Sequence, residues 1–378
     1  MDIKMVDLHA MHMEIEDEIR SGFEDVMARS AYIGGEEVAR FEQSLSDYTG
    51  VPHVVTCGSG TAALYIALKA LEPTALAPGD EVIVPAFAYA ACAEAVLAAG
   101  MIPVMADVDP ATFNLTSSGI EAAVSPRTRG VIPVHLFGQP CDMASIMPTA
   151  QRHRLVVIED NAQSLGAACR MANGEWRLAG SIGTVGCTSF FPTKPLGAYG
   201  DGGAMMTADS ALGRRLRMIA NHGQSEKYRH SLVGCNSRLD TLQAVVLSAK
   251  LPHIAKWNAA RREVARYYTD ALAEVDGIRV PVEASGVEHV YHQYTIQVAD
   301  GRRDSLRERL ASAGVATMVY YPMPLHRQEA YRHRCRVAGD PEVADRLSRS
   351  VLSLPLHTAL TPASQDYVID VIKKFFNS

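Results

Sequence analysis

The amino-acid sequence predicts an α/β protein with a largely parallel sheet, followed by a smaller C-terminal α+β unit. Two observations carry this. From about residue 53 to 207 short β-branched runs alternate with helix-like segments, the pattern of a parallel sheet covered by helices on both faces. After about residue 239 that texture gives way to a long helical pattern and sparser strands. The expected units are therefore a large α/β domain over 1–240, with an N-terminal arm, and a small α+β domain over 241–378, in keeping with about 100–200 residues per domain.

The strand runs of the first unit are His53–Thr56, Glu81–Val84, Ile102–Met105, Gly130–Val134 and Leu155–Ile158. Helical candidates lie between them, near 61–72, 89–99, 117–124 and 143–153. In the second unit one long helix is expected over Asp240–Val275, where breakers are few, followed by a strand at Tyr291–Val298. A helix at 303–313, a strand at 315–319 and a final helix near 362–376 complete it.

Composition removes several function classes. A hydrophobic fraction of 48% and a charged fraction of 21% are those of an ordinary soluble globular protein. The net charge of −6 argues against a nucleic-acid partner, which calls for a clustered basic surface. The basic clusters Arg214–Arg217 and Arg261–Arg262 read as solvated helix faces. Seven scattered cysteines without a Cys-x-x-Cys pair fit free thiols in a reducing cytoplasm. No apolar run approaches the roughly 18 residues of a membrane span, and the histidines lack metal-ligand spacing, so neither a membrane nor a metal is expected.

Parallel sheets bind ligands beyond the carboxyl ends of their strands, so the residues just after each run are the ones to read. After the first run, Cys57-Gly58-Ser59-Gly60-Thr61 is a small-residue turn opening into a helix, a seat for phosphate on free N–H groups. Tyr89 follows the second run and is placed to lie over the same crevice. The run ending at Ile158 continues into Glu159-Asp160-Asn161-Ala162-Gln163, and a carboxylate at the mouth of a buried strand requires a positive partner.

Lys194 sits in Ser189-Phe190-Phe191-Pro192-Thr193-Lys194-Pro195-Leu196-Gly197, where a strand-like run enters a Pro/Gly loop. Of the 36 Lys and Arg residues only eight are Lys, so lysine is not this chain's default cation. A partly buried lysine amine loses its proton and becomes a nucleophile, which a guanidinium cannot do. A phosphate seat, a ring-stacking aromatic, a carboxylate for a pyridine nitrogen and a Schiff-base lysine are together what pyridoxal 5'-phosphate needs.

Ser59-Gly60-Thr61-Ala62-Ala63-Leu64, Gly79-Asp80-Glu81-Val82-Ile83-Val84-Pro85, Glu159-Asp160-Asn161-Ala162-Gln163, Ser189-Phe190 to Lys194, Gly200-Asp201-Gly202-Gly203 and Gly234-Cys235-Asn236-Ser237-Arg238-Leu239-Asp240 resemble motifs of the DegT/DnrJ/StrS sugar aminotransferases. The resemblance runs from Val6 to His357. It implies a three-layer, fold-type I, aspartate-aminotransferase-like architecture. It further implies that Lys194 bears the cofactor and shuttles the proton, Asp160 pairs with the pyridinium nitrogen, Gln163 bonds the ring hydroxyl and Tyr89 stacks on the ring. Gly60, Thr61, Ser189 and Asn236 would hold the phosphate, with Asn236 supplied by a neighbouring subunit. That contact implies a homodimer with shared active sites.

The same motifs imply amino transfer from L-glutamate to a keto nucleotide sugar. The loop motifs look most like enzymes that aminate the third carbon of a UDP-linked 2-acetamido-3-oxo-glucuronate. Arg238 is a candidate for a sugar or glutamate carboxylate, or for an interface salt bridge. Tyr320 stands where the uronate enzymes carry histidine, and a phenol offers no positive charge at neutral pH. A neutral 3-keto or 4-keto-6-deoxy nucleotide sugar is therefore an alternative acceptor; a keto-cyclitol is another, and a regulatory or sensory relative is the non-enzyme alternative.

Overall fold

Seven strands of one eight-stranded sheet point the same way, and the site is built at their carboxyl ends. The computed structural model describes residues 2–72 and 74–377. The sheet runs in the order His53–Cys57, Gly203–Thr207, Val185–Ser189, Val156–Asp160, Thr128–Val131, Glu81–Pro85, Ile102–Ala106, Arg336–Val337. Gly203–Thr207 alone is inverted, being antiparallel to both of its neighbours. The remaining pairings are parallel.

Strand alternation sends successive side chains to opposite faces, and each face meets its own helices. Val82 and Val84 join a core with the helices Gly60–Leu71, Ala91–Ala98 and Ser210–Ala220. Ile83 between them joins the opposite core, under Ser117–Ala123 and Met143–His153. The result is the expected three layers.

A third core matters more for the site. Phe41 and Leu45 of the helix Glu36–Thr49 and Leu247 of the helix Thr241–Lys250 bury Phe190, Leu196 and Ala198 between them. These last three residues flank Lys194, and the Phe41 and Phe190 rings meet edge to face at 5.4 Å. The Lys194 loop is thus held by apolar burial on both arms while its apex stays free.

The C-terminal part of the chain, besides lending Arg336–Val337 to the large sheet, forms a three-stranded antiparallel sheet, Ile278–Arg279, Tyr294–Val298 and Val351–Leu354. The helices Ile254–Leu272, Arg303–Ser312 and Pro362–Phe376 pack with it in one apolar cluster.

Three expectations are corrected. The long helix over 240–275 is two helices, Thr241–Lys250 and Ile254–Leu272, joined by a 3-10 turn at Leu251–His253; Pro252 lacks the N–H that would carry the ladder on. The strand at 315–319 reduces to isolated bridges, Ile3 to Val315 and Met318 to Ser353. Arg261 does not lie on a solvated face: it is 4% exposed, its guanidinium bonds Asn258 Oδ1 at 3.3 Å, and burial lowers its pKa to about 10.

At the amino edge of the sheet Glu81 is fully buried and gathers Ser125 Oγ at 2.6 Å, Arg127 at 2.8 Å, Thr128 Oγ1 at 3.2 Å and Arg336 at 2.8 Å. Burial pushes its carboxyl up, but Arg336 and Ser125, with Thr128, outweigh that and leave it at about 2. A depressed carboxylate stabilises the fold above its unfolded pKa, and the contribution disappears as pH falls through the folded value. We expect Glu81→Gln to cost on the order of 1–2 kcal/mol at pH 7. In urea unfolding the gap to wild type should close between about pH 4.5 and pH 2; a gap constant across that window would refute the assignment.

Candidate active site

Five strand ends open onto one cavity of about 440 Å³. The turn after Cys57 brings Ser59, Gly60 and Thr61. The segment after Pro85 brings Tyr89, and that after Val131 brings Val134 and Phe137. Asp160 and Gln163 come from the next strand, and Ser189 and Lys194 from its neighbour. His292, Gln293, Tyr320 and Tyr321 close the cavity from the C-terminal unit.

The turn into Gly60–Leu71 is capped by Ser59, whose hydroxyl accepts from Ala62 N–H at 3.1 Å. The Gly60 and Thr61 N–H groups precede the first intrahelical bonds, and both residues line the cavity. A Cβ on Gly60 would stand 2.6 Å from Ser189 Cβ, so only glycine lets the turn approach Ser189 this closely. Ser189 Oγ accepts from Phe191 N–H at 3.2 Å and keeps its own proton to donate. Two N–H groups and a hydroxyl at a helix start make an anion seat.

Asp160 is 9% exposed and accepts a hydrogen bond from Ala162 N–H at 3.0 Å. Burial raises its pKa, against the pull of that N–H, Lys194 and His135. Burial likewise lowers the pKa of Lys194, with Asp160 opposing. Each group thus sits in a site that disfavours its charge, so the pair is set to meet a ligand: a cation for Asp160 and an electrophile for the Lys194 amine. The Lys194 turn is closed by its own N–H on Phe191 O at 2.8 Å and by Ala198 N–H on Phe190 O at 2.8 Å.

Gln163 is fixed at both ends of its amide. Oε1 accepts from Phe137 N–H at 2.7 Å, and Nε2 donates to the Tyr321 hydroxyl at 3.2 Å. Its second amide proton is left for the cavity. The Tyr89 ring is 62% exposed and lies 6.2 Å from that of Tyr321, at the mouth. Tyr320 also lines the cavity, and burial raises its pKa.

Sequence reasoning missed Tyr321, His292 and Gln293. Tyr321 adjoins Tyr320, so its signal was in plain view; the Tyr291-His292-Gln293-Tyr294 run reads as a strand, with nothing marking it for a site. Burial, then Lys194 and Arg261, holds His292 well below the usual histidine pKa, so it faces the cavity as a neutral imidazole. Asn236 and Arg238 do not enter this cavity within one chain. They line a separate surface groove with Ile33, Gly58, Ser59 and Asp240, on the other side of the Ser59 turn.

The family model of the DegT/DnrJ/EryC1/StrS aminotransferases matches residues 13–373. A UDP-N-acetyl-3-dehydro-α-D-glucosamine 3-aminotransferase from Acidithiobacillus ferrooxidans is 44% identical over 98% of this chain and 97% of its own. A pleiotropic regulatory protein from Geobacillus stearothermophilus is 42% identical over 100% and 99%. A UDP-2-acetamido-2-deoxy-3-oxo-D-glucuronate aminotransferase from Pseudomonas aeruginosa is 42% identical over 96% and 97%. Among solved structures, S. venezuelae DesV in complex with a ketimine intermediate superposes with a TM-score of 0.94 at 38% identity, covering 100% of this chain and 99% of that one. The chain belongs to the DegT/DnrJ/EryC1/StrS aminotransferase family and is a pyridoxal phosphate enzyme. The cavity fits that cofactor, offering an anion seat, a buried carboxyl short of partners and a desolvated amine.

Gly60→Ala tests the seat. The added methyl meets Ser189 and displaces the turn, so we expect titration of the cofactor-free protein with pyridoxal phosphate to show an affinity loss of roughly 10- to 100-fold, one or two charge-assisted hydrogen bonds' worth. Unchanged affinity would place the phosphate elsewhere.

Proposed function

We propose that this protein transfers the amino group of L-glutamate to the third carbon of a nucleotide-linked 2-acetamido-3-oxo sugar, acting in the cytoplasm as a homodimer. The observation that carries the reading is the meeting of Lys194, Asp160, Gln163, Ser189, Gly60 and Thr61 in one cavity. The same set argues against a purely regulatory role, since a protein that only signals has no need of a desolvated lysine facing a buried carboxyl.

Pyridoxal phosphate, when bound, supplies a ring that takes up the electrons left when a carbon–hydrogen bond breaks. The rest falls to this chain's residues. The Gly60 and Thr61 N–H groups and the Ser189 hydroxyl bind the phosphate. Asp160 would hold the proton at the ring nitrogen, Gln163 would donate to the ring oxygen, and Tyr89 would cover the ring. The Lys194 amine, uncharged more readily because of its burial, would act as the base and acid that moves the substrate-carbon proton. His292 and Tyr321 exclude water from the C-terminal side.

Asn236 and Arg238 lie exposed in one groove with the apolar, exposed Ile33. This supports a face that a second copy covers, with Asn236 reaching the phosphate of the neighbouring site. Lys194 is the one Lys or Arg of this chain lining the cavity among the described residues, and Tyr320 is neutral at working pH. These two facts favour a neutral 3-oxo sugar; the uronate is the second reading, and it requires Arg238 from the other copy.

Incubation with glutamate and a panel of keto nucleotide sugars, followed by 2-oxoglutarate release, tests the reaction. Lys194→Ala should lower turnover by about 10³-fold or more, the scale of lost nucleophilic and general acid–base catalysis. Turnover with neutral 3-oxo sugars, unchanged in Arg238→Ala, is the expected result. Turnover confined to the uronate and lost in Arg238→Ala would establish the second reading instead.

A further inference from the structure

Lys250 ends the helix Thr241–Lys250 and is 4% exposed. Its ammonium donates to the Gly197 carbonyl at 2.6 Å and stands 4.5 Å from the centroid of the Tyr199 ring. No carboxylate meets it among the described residues. A buried cation is costly without a counter-ion, and an aromatic face with one carbonyl recovers only part of that cost. A lysine here therefore needs a reason that an uncharged donor would not satisfy.

The reason lies in what it touches. Gly197 is three residues beyond Lys194, and the turn between them is packed so tightly that a Cβ on Gly197 would stand 2.1 Å from Pro192 O. Seven residues earlier on the same helix, Gln243 Oε1 accepts from Tyr199 N–H at 2.8 Å. One helix thus grips the outgoing arm of the Lys194 loop at two points, and the Lys250 grip is the nearer to Lys194. The far end of the chain joins in, since the Tyr199 hydroxyl pairs with His12 Nδ1 at 2.6 Å.

We propose that Lys250 is a positioning residue for Lys194, its buried ammonium fixing the loop from which the catalytic amine enters the cavity. This rests on the reading of Lys194 as the cofactor-bearing lysine. The titratable groups around Lys250 are the Tyr199 phenol and its partner His12, with Glu16 acting on Tyr199; the helices Glu16–Arg29 and Glu36–Thr49 pack beside it through Ile19, Phe41 and Leu45. Burial lowers the Lys250 ammonium to about 8, so the grip loosens as pH rises through that value.

The test compares wild type, Lys250→Met and Lys250→Gln as holoenzymes. Readouts are visible absorbance against pH, the rate at which glutamate bleaches that absorbance, and melting temperature. In wild type the bleaching rate should fall as pH rises through about 8. Lys250→Met should lower the rate at pH 7 about tenfold by misplacing the loop and should lack the alkaline limb. Lys250→Gln, a neutral donor of shorter reach, should recover part of the rate and also lack the limb. A lowered melting temperature with wild-type rate and pH profile would overturn the proposal, as would an alkaline limb retained in Lys250→Gln. Lys194→Ala run alongside separates the two readings. A visible band that survives dialysis of that variant against glutamate overturns the role of Lys194, whereas a lost band with wild-type behaviour in Lys250→Met overturns only the role of Lys250.

Discussion

Two adjacent carboxylates end the Val156–Asp160 strand, and the difference between their surroundings organises the site. Glu159 and Asp160 point to opposite faces, as strand geometry requires. Glu159 is saturated: it accepts from Gly180, Ile182 and Gly183 N–H at 2.9, 2.7 and 2.6 Å and pairs with His135 Nε2 at 3.0 Å. His135 Nδ1 accepts from Cys141 N–H, which turns Nε2 of the ring toward Glu159. Burial pushes the Glu159 carboxyl up, but these donors more than reverse it. Asp160 has Ala162 N–H for its carboxyl, and burial prevails. One carboxylate locks the strand end to the 180–183 turn; the other is left with capacity for a ligand.

The same economy recurs around Lys194. Its flanks Phe190, Leu196 and Ala198 are buried, which holds both arms of the loop with no polar contact to the amine itself among the described residues. The polar restraints act one step away, on the backbone of Gly197 and Tyr199. Catalytic positioning demands this separation, because a side chain bonded directly to the amine would compete with the electrophile it must attack. Rigid support beneath and a free, desolvated group above is how such a site is kept reactive.

Much of this was legible in sequence. Gly60, Thr61, Asp160 and Gln163 lie at carboxyl ends of strands that β-branched runs announce, where the rule for parallel sheets leads, and Ser189 and Lys194 follow a strand-like run into a Pro/Gly loop. The helices between those strands fall close to their expected places. The later half was harder. Pro252 divides a helix whose pattern reads as continuous, because apolar periodicity survives on both sides of the break. The strand expected at 315–319 has neighbours only at Val315 and Met318, and pairing partners are not written in a single segment.

What the sequence determined by itself is local: which runs are strands, which small-residue turn opens a helix, and which lysine stands in a Pro/Gly loop. These follow from backbone propensity and side-chain chemistry, which act within a few residues. Only the tertiary structure decided that His292, Gln293 and Tyr321 close the cavity from residues far along the chain, that Arg261 is buried rather than solvated, and that Lys250 grips the Lys194 loop. Only it, too, placed Asn236 and Arg238 outside the cavity of their own chain. Burial and pairing depend on elements that meet across long stretches of sequence, and the charge state of a lysine is set by what surrounds it rather than by its neighbours in the chain.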